Sequence, residues 1–528
     1  MDKFRPGQHD DGTARGAAFL DDLSARAERA MGARIGAGDT LTRPAANESP
    51  ERLTDVGNAS RLVRRHGENL RFIPAFKKWL TWDGSRWVFD EDGAITRAAK
   101  NTALSIYSEA ARCNDSKMAE LIATHAARSQ AAGRISSMIE LAKCELPAQP
   151  GELDADPWLL GVANGTINLK TGALREARRE DFITKRAVGP YDPAATAPAF
   201  EAFLHRIMGG NTGLIEFIQR AVGYSLTGDT GEQCLLFAHG AGANGKSTLL
   251  NVVSEILGDY ATQCPAETLM AKQGGGIPND IARLRGARFV ATSETEDGRR
   301  FAESTIKQIT GQDIIAARFL FGEFFEFKPA FKIWLAANHK PVIRGDDLAI
   351  WRRIRLIPFA VTISAAECDQ NLPAKLRLEG AGILAWAVRG CLEWQRIGLN
   401  PPAEVTSATA EYRADMDLMG AWIEACCVVS ETAKAGASAL YANYRRWTEE
   451  NGAHPISATK FGLKLVTKGF QKEKNGTISY FGIGLLDAQE SLDAFSNSYS
   501  RYPPTSLLTE KASNPSNPSK PLENKEFF

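Results

Sequence analysis

The stretch CLLFAHGAGANGKSTLLNVV, Cys234 to Val253, decides the reading of the chain. An apolar run, CLLFA, passes into a glycine-rich turn and then into KSTLLNVVSEILG, a helical pattern that Gly258 stops. Gly240, Gly245, Lys246 and Ser247 satisfy GxxxxGK[ST], and a strand before and a helix after are the context that spacing requires. Glycines let the backbone curl with its N–H groups turned inward, and the helix start adds the positive end of its dipole. Such a turn receives phosphate oxygens. The expected contacts to ATP are Gly240, Ala241, Gly242, Ala243, Asn244, Gly245, Lys246, Ser247 and Thr248. Lys246 is expected to neutralise the β- and γ-phosphates, and the Ser247 hydroxyl to hold Mg²⁺.

Outward from this stretch, RFVATS, FKIWLAA and IRLIPF repeat the near-continuous apolar character of CLLFA. Runs of that kind fit parallel strands buried on both faces, so the centre of the chain reads as α/β. Ligands in such sheets gather at the carboxyl ends of the strands. There the sequence RFVATSETEDG offers Glu294 and Glu296. One of the two is expected to orient Mg²⁺ through water and the other to polarise an attacking water, with the assignment open. FKIWLAANHKP ends in Asn338, whose amide suits a water near the γ-phosphate, and AIWRRIRLIPF carries Arg352 and Arg353. An arginine that reaches a γ-phosphate stabilises transition-state charge, here the phosphate of a neighbouring subunit.

The chain has 528 residues, enough for several folded units. Hydrophobic residues make up 44%, charged residues 24%, and the formal net charge is zero, so nucleic-acid binding has to come from local basic clusters. No run of about eighteen apolar residues suggests a membrane span. The eight cysteines form no CxxC pair and the seven histidines no HExxH, so no zinc site or disulfide framework is expected. Residues 1 to about 50 read as a mobile arm, and the Asn-, Ser- and Pro-rich end from 488 as a disordered tail.

Between these ends the patterns alternate. KKWLTWDGSRWVFDEDG reads as a hairpin turning at Asp83-Gly84, residues 94–146 as helical, and LLGVANGTINLKTGAL as strands turning at Asn164-Gly165 and Thr171-Gly172. Residues 198–227 read as one helix, residues 375–427 as helical, and AWIEACCVV as a buried helix. Residues 437–486 read as helix, turn, helix and a two-stranded wing. Arg445, Arg446, Lys460, Lys464 and Lys468 make that segment basic, and the three lysines, spaced by four, share a helix face suited to duplex phosphates.

GANGKST, FVATSETE, IKQITGQDIIAARFLFGEFFEFKPAFKIWLAANHKP and WRRIRLIPF, in that order, resemble the superfamily 3 helicases, and more closely the primase–helicases of phages, plasmids and large DNA viruses. Upstream, TDVGNASRLVRRHGENLRF, WLTWDGSRW and GVANGTINLKTG extend the resemblance, which covers roughly 55 to 486. It implies an AAA+-like P-loop ATPase core with a mixed α/β N-terminal domain and a C-terminal winged-helix module. The implied domains are an arm 1–50, an N-terminal domain 51–195, the ATPase domain 196–365, a helical connector 366–430, a winged-helix module 431–487 and a tail 488–528.

The resemblance further implies a homo-oligomeric ring, usually a hexamer, translocating 3′-to-5′ on single-stranded and forked DNA in a bacterial cytoplasm. A separate primase or replisome proteins are implied partners. Lys246 and Ser247 match the phosphate motif, Glu294 the acidic motif, Asn338 the sensor, and Arg352 or Arg353 the trans-acting finger. A channel hairpin falls at ARFLFGEFFEF. There Arg318 suits a phosphate, Phe321 or Phe324 a base, and Glu323 stands where relatives commonly carry a basic tip; Lys307 is a weaker DNA or nucleotide candidate. Only about 50 residues precede the matched region, so unwinding without primer synthesis is the expectation. The competing readings are an ATP-switched origin-binding or loader protein and another P-loop phosphotransferase.

Overall fold

The computed structural model describes residues 52–271, 279–293, 299–318, 324–343, 348–451 and 455–486. The chain divides into two compact units, one formed by residues up to Arg65 with Ala98–Ala142, the other by His66–Arg97 with Lys143 onward. The division at 142/143 falls inside the segment 51–195.

The first unit is helical. It contains α1 (Asp55–His66) up to Arg65, α2 (Ala94–Ala111) from Ala98 on, α3 (Ser116–Ser129) and α4 (Ala132–Ala142). Asp115 caps α3 by accepting from the Lys117 and Met118 N–H groups, which satisfies donors that a helix start leaves open. Ile106, Ile122 and Ala126 form its apolar centre. Arg61 is 1% exposed and donates Nε and Nη2 to the Glu109 carboxylate at 2.7–3.0 Å, so its buried charge is matched. Asn58 donates to Ser129 Oγ at 2.9 Å and its Oδ1 lies 2.9 Å from His125 Nε2.

The second unit opens with two small antiparallel sheets. The first is β1 (Leu70–Ile73), β2 (Lys78–Trp82) and β3 (Trp87–Phe89), whose turn at Asp83 is fastened by its carboxylate accepting from the Ser85 and Arg86 N–H groups. The second is β4 (Leu159–Val162), β5 (Gly165–Asn168) and β6 (Ala173–Arg175). The expected single helix over 198–227 is two: α5 (Pro198–Ile207) and α6 (Thr212–Leu226). The break is chemical. Gly209 and Gly210 stop the first helix, and the Asn211 side chain starts the second by accepting from Leu214 N–H at 3.0 Å.

The centre is a five-stranded parallel sheet in the order β13-β7-β12-β9-β8. In chain order its parts are β7 (Leu235–His239), α7 (Lys246–Leu257), β8 (Ala261–Gln263), β9 (Phe289–Ser293), α8 (Glu303–Ile309), the hairpin β10 (Ile315–Arg318) and β11 (Phe324–Phe327), β12 (Lys332–Ala337) and β13 (Ile354–Pro358). Alternate residues of each strand enter different cores. Leu236, Ala238, Trp334, Ala336 and Ile357 face one, with α5 and α6; Leu235, Phe237, Ile333, Leu335 and Leu356 face the other, with the β10–β11 hairpin. A sheet covered on both faces accounts for the unbroken apolar runs. Edge strand β8 was not foreseen, because a partly exposed Ala-Thr-Gln carries no such run.

Two buried cations stitch the sheet to what precedes it. Arg288 donates to the Leu226 and Leu159 carbonyls at 2.7 and 2.8 Å and lies 4.6 Å from the Tyr260 ring. Lys332 donates to the carbonyls of Thr227, Asp229 and Ala330, and its ammonium lies 4.7 Å from the Tyr224 ring. Leu226 ends α6, where unpaired carbonyls attract positive charge. Burial, together with the Arg288 guanidinium, pushes the Lys332 pKa down to about 7.

After the sheet come α9 (Leu372–Leu378), α10 (Gly380–Ile397), α11 (Ala403–Asp415) and α12 (Leu418–Cys426). The last part is β14 (Cys427–Gly436), α13 (Ala437–Glu450), α14 (Ala458–Thr467), β15 (Gln471–Asn475) and β16 (Thr477–Leu485). Two expectations need correction. AWIEACCVV is a helix only to Cys426; Cys427 opens a strand, since Cys-Val-Val is β-prone and pairs with Leu485–Ile483. Where a two-stranded wing was expected there is a three-stranded sheet, β14-β16-β15, because β14, which precedes both helices, closes it.

Candidate functional site

The loop between β7 and α7 holds its shape against close walls. A Cβ on Gly240 would come 2.3 Å from the Phe359 carbonyl, and one on Gly245 would come 2.5 Å from Ile207 Cγ2. Gly245, the residue before α7, has φ +80°, a conformation that favours glycine. Lys246 is buried, and its ammonium donates to Gly240 O at 2.8 Å, Asn244 Oδ1 at 2.9 Å and Asn338 Oδ1 at 3.0 Å. Burial lowers its pKa from the ordinary lysine value. These three acceptors are neutral, so they hold the ammonium in place without cancelling its charge.

Asn338 follows β12, which lies beside β7 in the sheet, so the side-by-side strands bring residues 92 positions apart into contact. Asn338 is exposed just past the strand end while Lys246 is enclosed. His239, the last residue of β7, was missed in the sequence. Burial, then the Lys340 and Lys246 ammonium groups, keep its imidazole below the ordinary value, so a neutral ring flanks the loop. The only signal for it was its place directly before Gly240.

Exposed Ser247 opens onto a cleft of about 130 Å³ lined also by Asn251, Gln263, Cys264, Thr292 and Ala336. Thr292 is 2% exposed, and its Oγ1 has no hydrogen-bond partner among the described residues. A buried hydroxyl without a partner costs about 1–3 kcal/mol, so it marks a place that a further group completes. A tight glycine loop, a restrained ammonium, the Ser247 hydroxyl and an orphan hydroxyl beside it are groups that could hold a triphosphate with Mg²⁺. Thr292 was also missed; its signal was its position on the strand two residues before Glu294. Glu294 and Glu296 lie outside the described residues.

The two arginines part. Arg353 is 7% exposed and donates to Thr310 Oγ1 at 3.1 Å and to the Ala349 carbonyl at 2.6 Å. Arg352 is exposed, with Nη2 3.2 Å from Gln233 Oε1. Only Arg352 presents its charge to the surroundings of the chain.

In the β10–β11 hairpin, Ile315, Ala317 and Phe327 pack inward, while Arg318 and Phe324 are exposed cross-strand partners with the guanidinium 5.0 Å from the ring centroid. Phe321 and Glu323 lie outside the described residues. Lys307 is half-buried in the last turn of α8. In the last segment the basic face is less open than its sequence indicates. Arg445 and Arg446 lie 3.2 and 4.0 Å from Glu449 and Glu450, and Lys468, just past the end of α14, donates to Asp417 at 2.6 Å. Burial alone would raise the Asp417 carboxyl; Lys468 and the Gly420 N–H outweigh it and hold it below the usual range. Lys460 is exposed and Lys464 half-buried, with exposed Leu463 beside them, so this surface is mixed apolar and basic.

Residues 59–209 match a family model described as D5 N terminal like, and residues 414–484 one described as Poxvirus D5 protein-like. At its two ends the chain is thus similar to the D5-type proteins. Its motif-based resemblance to the primase–helicases of large DNA viruses therefore holds. Between the two D5 matches, residues 238–353 match a family of unknown function. A candidate helicase of Acanthamoeba polyphaga mimivirus is 28% identical over 324 residues, covering 57% of this chain and 34% of that protein. One of Frog virus 3 is 24% identical over 386 residues, covering 57% and 40%. The chain thus spans well under half the length of these relatives. The apo structure of the NrS-1 C-terminal region aligns over 83% of this chain and 100% of that one, with 11% identity and a TM-score of 0.43, too loose to fix a shared fold. No helix among the described residues is long and apolar enough to cross a membrane.

Proposed function

We propose that the chain is an ATP-dependent, ring-forming DNA helicase of the superfamily 3 type, acting in replication of a phage, prophage, plasmid or virus. Its core is an AAA+-like P-loop ATPase, and its last segment a winged-helix module. The observation that carries this reading is the 3.0 Å contact between Lys246 Nζ and Asn338 Oδ1. It unites the phosphate motif with a polar amide at the neighbouring strand tip, where an attacking water belongs. The names of the viral relatives as helicases support the DNA substrate.

In this reading the loop N–H groups and Lys246 bind the phosphates and Asn338 orients the water. Ser247 and Glu294 would hold Mg²⁺, which when bound neutralises phosphate charge. Glu296 or Glu294 takes the proton of the water. Exposed Arg352 serves the nucleotide of an adjacent copy, while Arg353 anchors the turn that presents it. Arg318 and Phe324 meet a single strand in the channel, and Lys460 a duplex phosphate. Lys246→Ala is expected to abolish DNA-stimulated ATP hydrolysis and fork unwinding. Unwinding that survives it would end the proposal. Nucleotide binding with no turnover in the wild-type chain would favour an assembly switch instead.

A further inference from the structure

Away from the nucleotide loop, cations and aromatic rings alternate along one strip of the second unit. The Lys78 ammonium stands 5.3 Å from the Phe89 centroid, and Phe89 lies 6.3 Å from Phe76. The Arg285 guanidinium lies 5.7 Å from Phe76 and 5.3 Å from Phe325 of β11. Phe76 occupies the turn between β1 and β2, is 38% exposed, and is followed by exposed Lys77 and Lys78. Arg285 is half-buried just before β9.

Arg86, Arg175 and Arg377 all meet carboxylates, whereas neither Lys78 nor Arg285 has a carboxylate partner among the described residues. Phe89 and Phe325 are partly buried against the cores beneath them, while Phe76 stands at an exposed turn, where a cation over its ring gains little for the fold. Cations beside rings suit a ligand that offers flat stacking groups and regular negative charge together. Unpaired nucleic acid has both; a duplex hides its base faces, and an acidic peptide would use the cations and leave the rings idle.

We propose that Phe76, Lys78, Phe89 and Arg285 form a binding surface for single-stranded nucleic acid, separate from the nucleotide loop and reaching the β10–β11 hairpin through Phe325. The proposal rests on the helicase reading for the presence of such a strand. The strip continues the path from the hairpin onto the sheet of β1, β2 and β3.

The test uses the full chain and a fluorescein-labelled oligothymidylate, with anisotropy titrations at several salt concentrations. Phe76→Ala is expected to weaken binding about tenfold through lost stacking. Lys78→Glu is expected to lower the slope of log affinity against log salt by at least about 0.7. Thermal melting shows that each variant is folded; should Phe76→Ala melt early, Lys78→Glu, changed at an exposed side chain, carries the test. Variants that bind like wild type while Arg318→Glu is weakened would overturn the strip and leave the helicase reading standing. A wild-type chain that binds no oligothymidylate would overturn both. Displacement by polyglutamate combined with an unaltered Phe76→Ala affinity would overturn the strip in favour of an acidic protein partner.

Discussion

Arg352 and Arg353 are adjacent in the chain and opposed in the structure. Arg353 turns inward to the Thr310 hydroxyl and the Ala349 carbonyl, and Arg352 turns outward beside Gln233. The division follows from position: Arg353 immediately precedes β13, whose first residue, Ile354, is fully buried. One arginine fixes the turn so that the other can project.

The pair predicts opposite phenotypes. Arg353→Ala removes two donations from a buried guanidinium, to the Thr310 hydroxyl and the Ala349 carbonyl, and is expected to cost about 1–3 kcal/mol in denaturant unfolding. Arg352→Ala is expected to stay within about 0.5 kcal/mol of wild type in stability, yet to lower ATP turnover about a thousandfold. Equal stability losses in the two would contradict the division.

Thr292→Val removes the unpartnered hydroxyl while keeping the shape of the side chain. The folded chain is expected to gain about 1 kcal/mol, because a buried orphan disappears. The magnesium concentration for half-maximal turnover is expected to rise about tenfold, as for groups that orient a metal's own ligands. A metal titration of wild type and variant reads the second effect independently of the first.

Lys332 makes stability depend on pH. Its pKa stands near 7 in the folded chain against about 10.4 for an unperturbed lysine. Between those values the unfolded chain binds the extra proton, so the contribution of this residue to stability rises with pH, by up to about 1.4 kcal/mol per unit. Lys332→Met should flatten that rise between pH 7 and 9 in urea unfolding. Parallel profiles for the two proteins would show that the buried amine keeps its proton.

Lys460 and Lys468 should also separate. Lys468→Ala loses a partly exposed ion pair to Asp417, worth at most about 1 kcal/mol of stability. Lys460→Ala should leave unfolding unchanged and lower the salt slope of duplex-DNA binding by about one. A duplex titration over several salt concentrations reads this directly.

The sheet was legible because both of its faces are covered. Leu235–Ala238 and Lys332–Ala337 are unbroken buried runs, and a strand with two cores has no polar face to disguise it. The loop was legible because a backbone turning this close to Phe359 and Ile207 restricts Gly240 and Gly245 to glycine, which leaves a recognisable spacing in the chain. What escaped was whatever depends on contacts distant in sequence. The choice between Arg352 and Arg353 turns on Thr310, 43 positions from Arg353, and the neutralisation of Lys468 on Asp417, 51 positions away. Thr292 escaped because orphan status exists only in three dimensions. Strand β14 escaped because its register with β16 shifts between Val429 and Lys434, so its alternation is irregular.

The walls around the nucleotide loop carry one more consequence. Phe359 backs Gly240, and Ile207 with Phe203 back Gly245, so the loop rests on protein along two sides. Its open mouth is the side of Ser247. A methyl added to either glycine would run into one of those walls, so both positions leave the backbone bare where it turns toward Ser247.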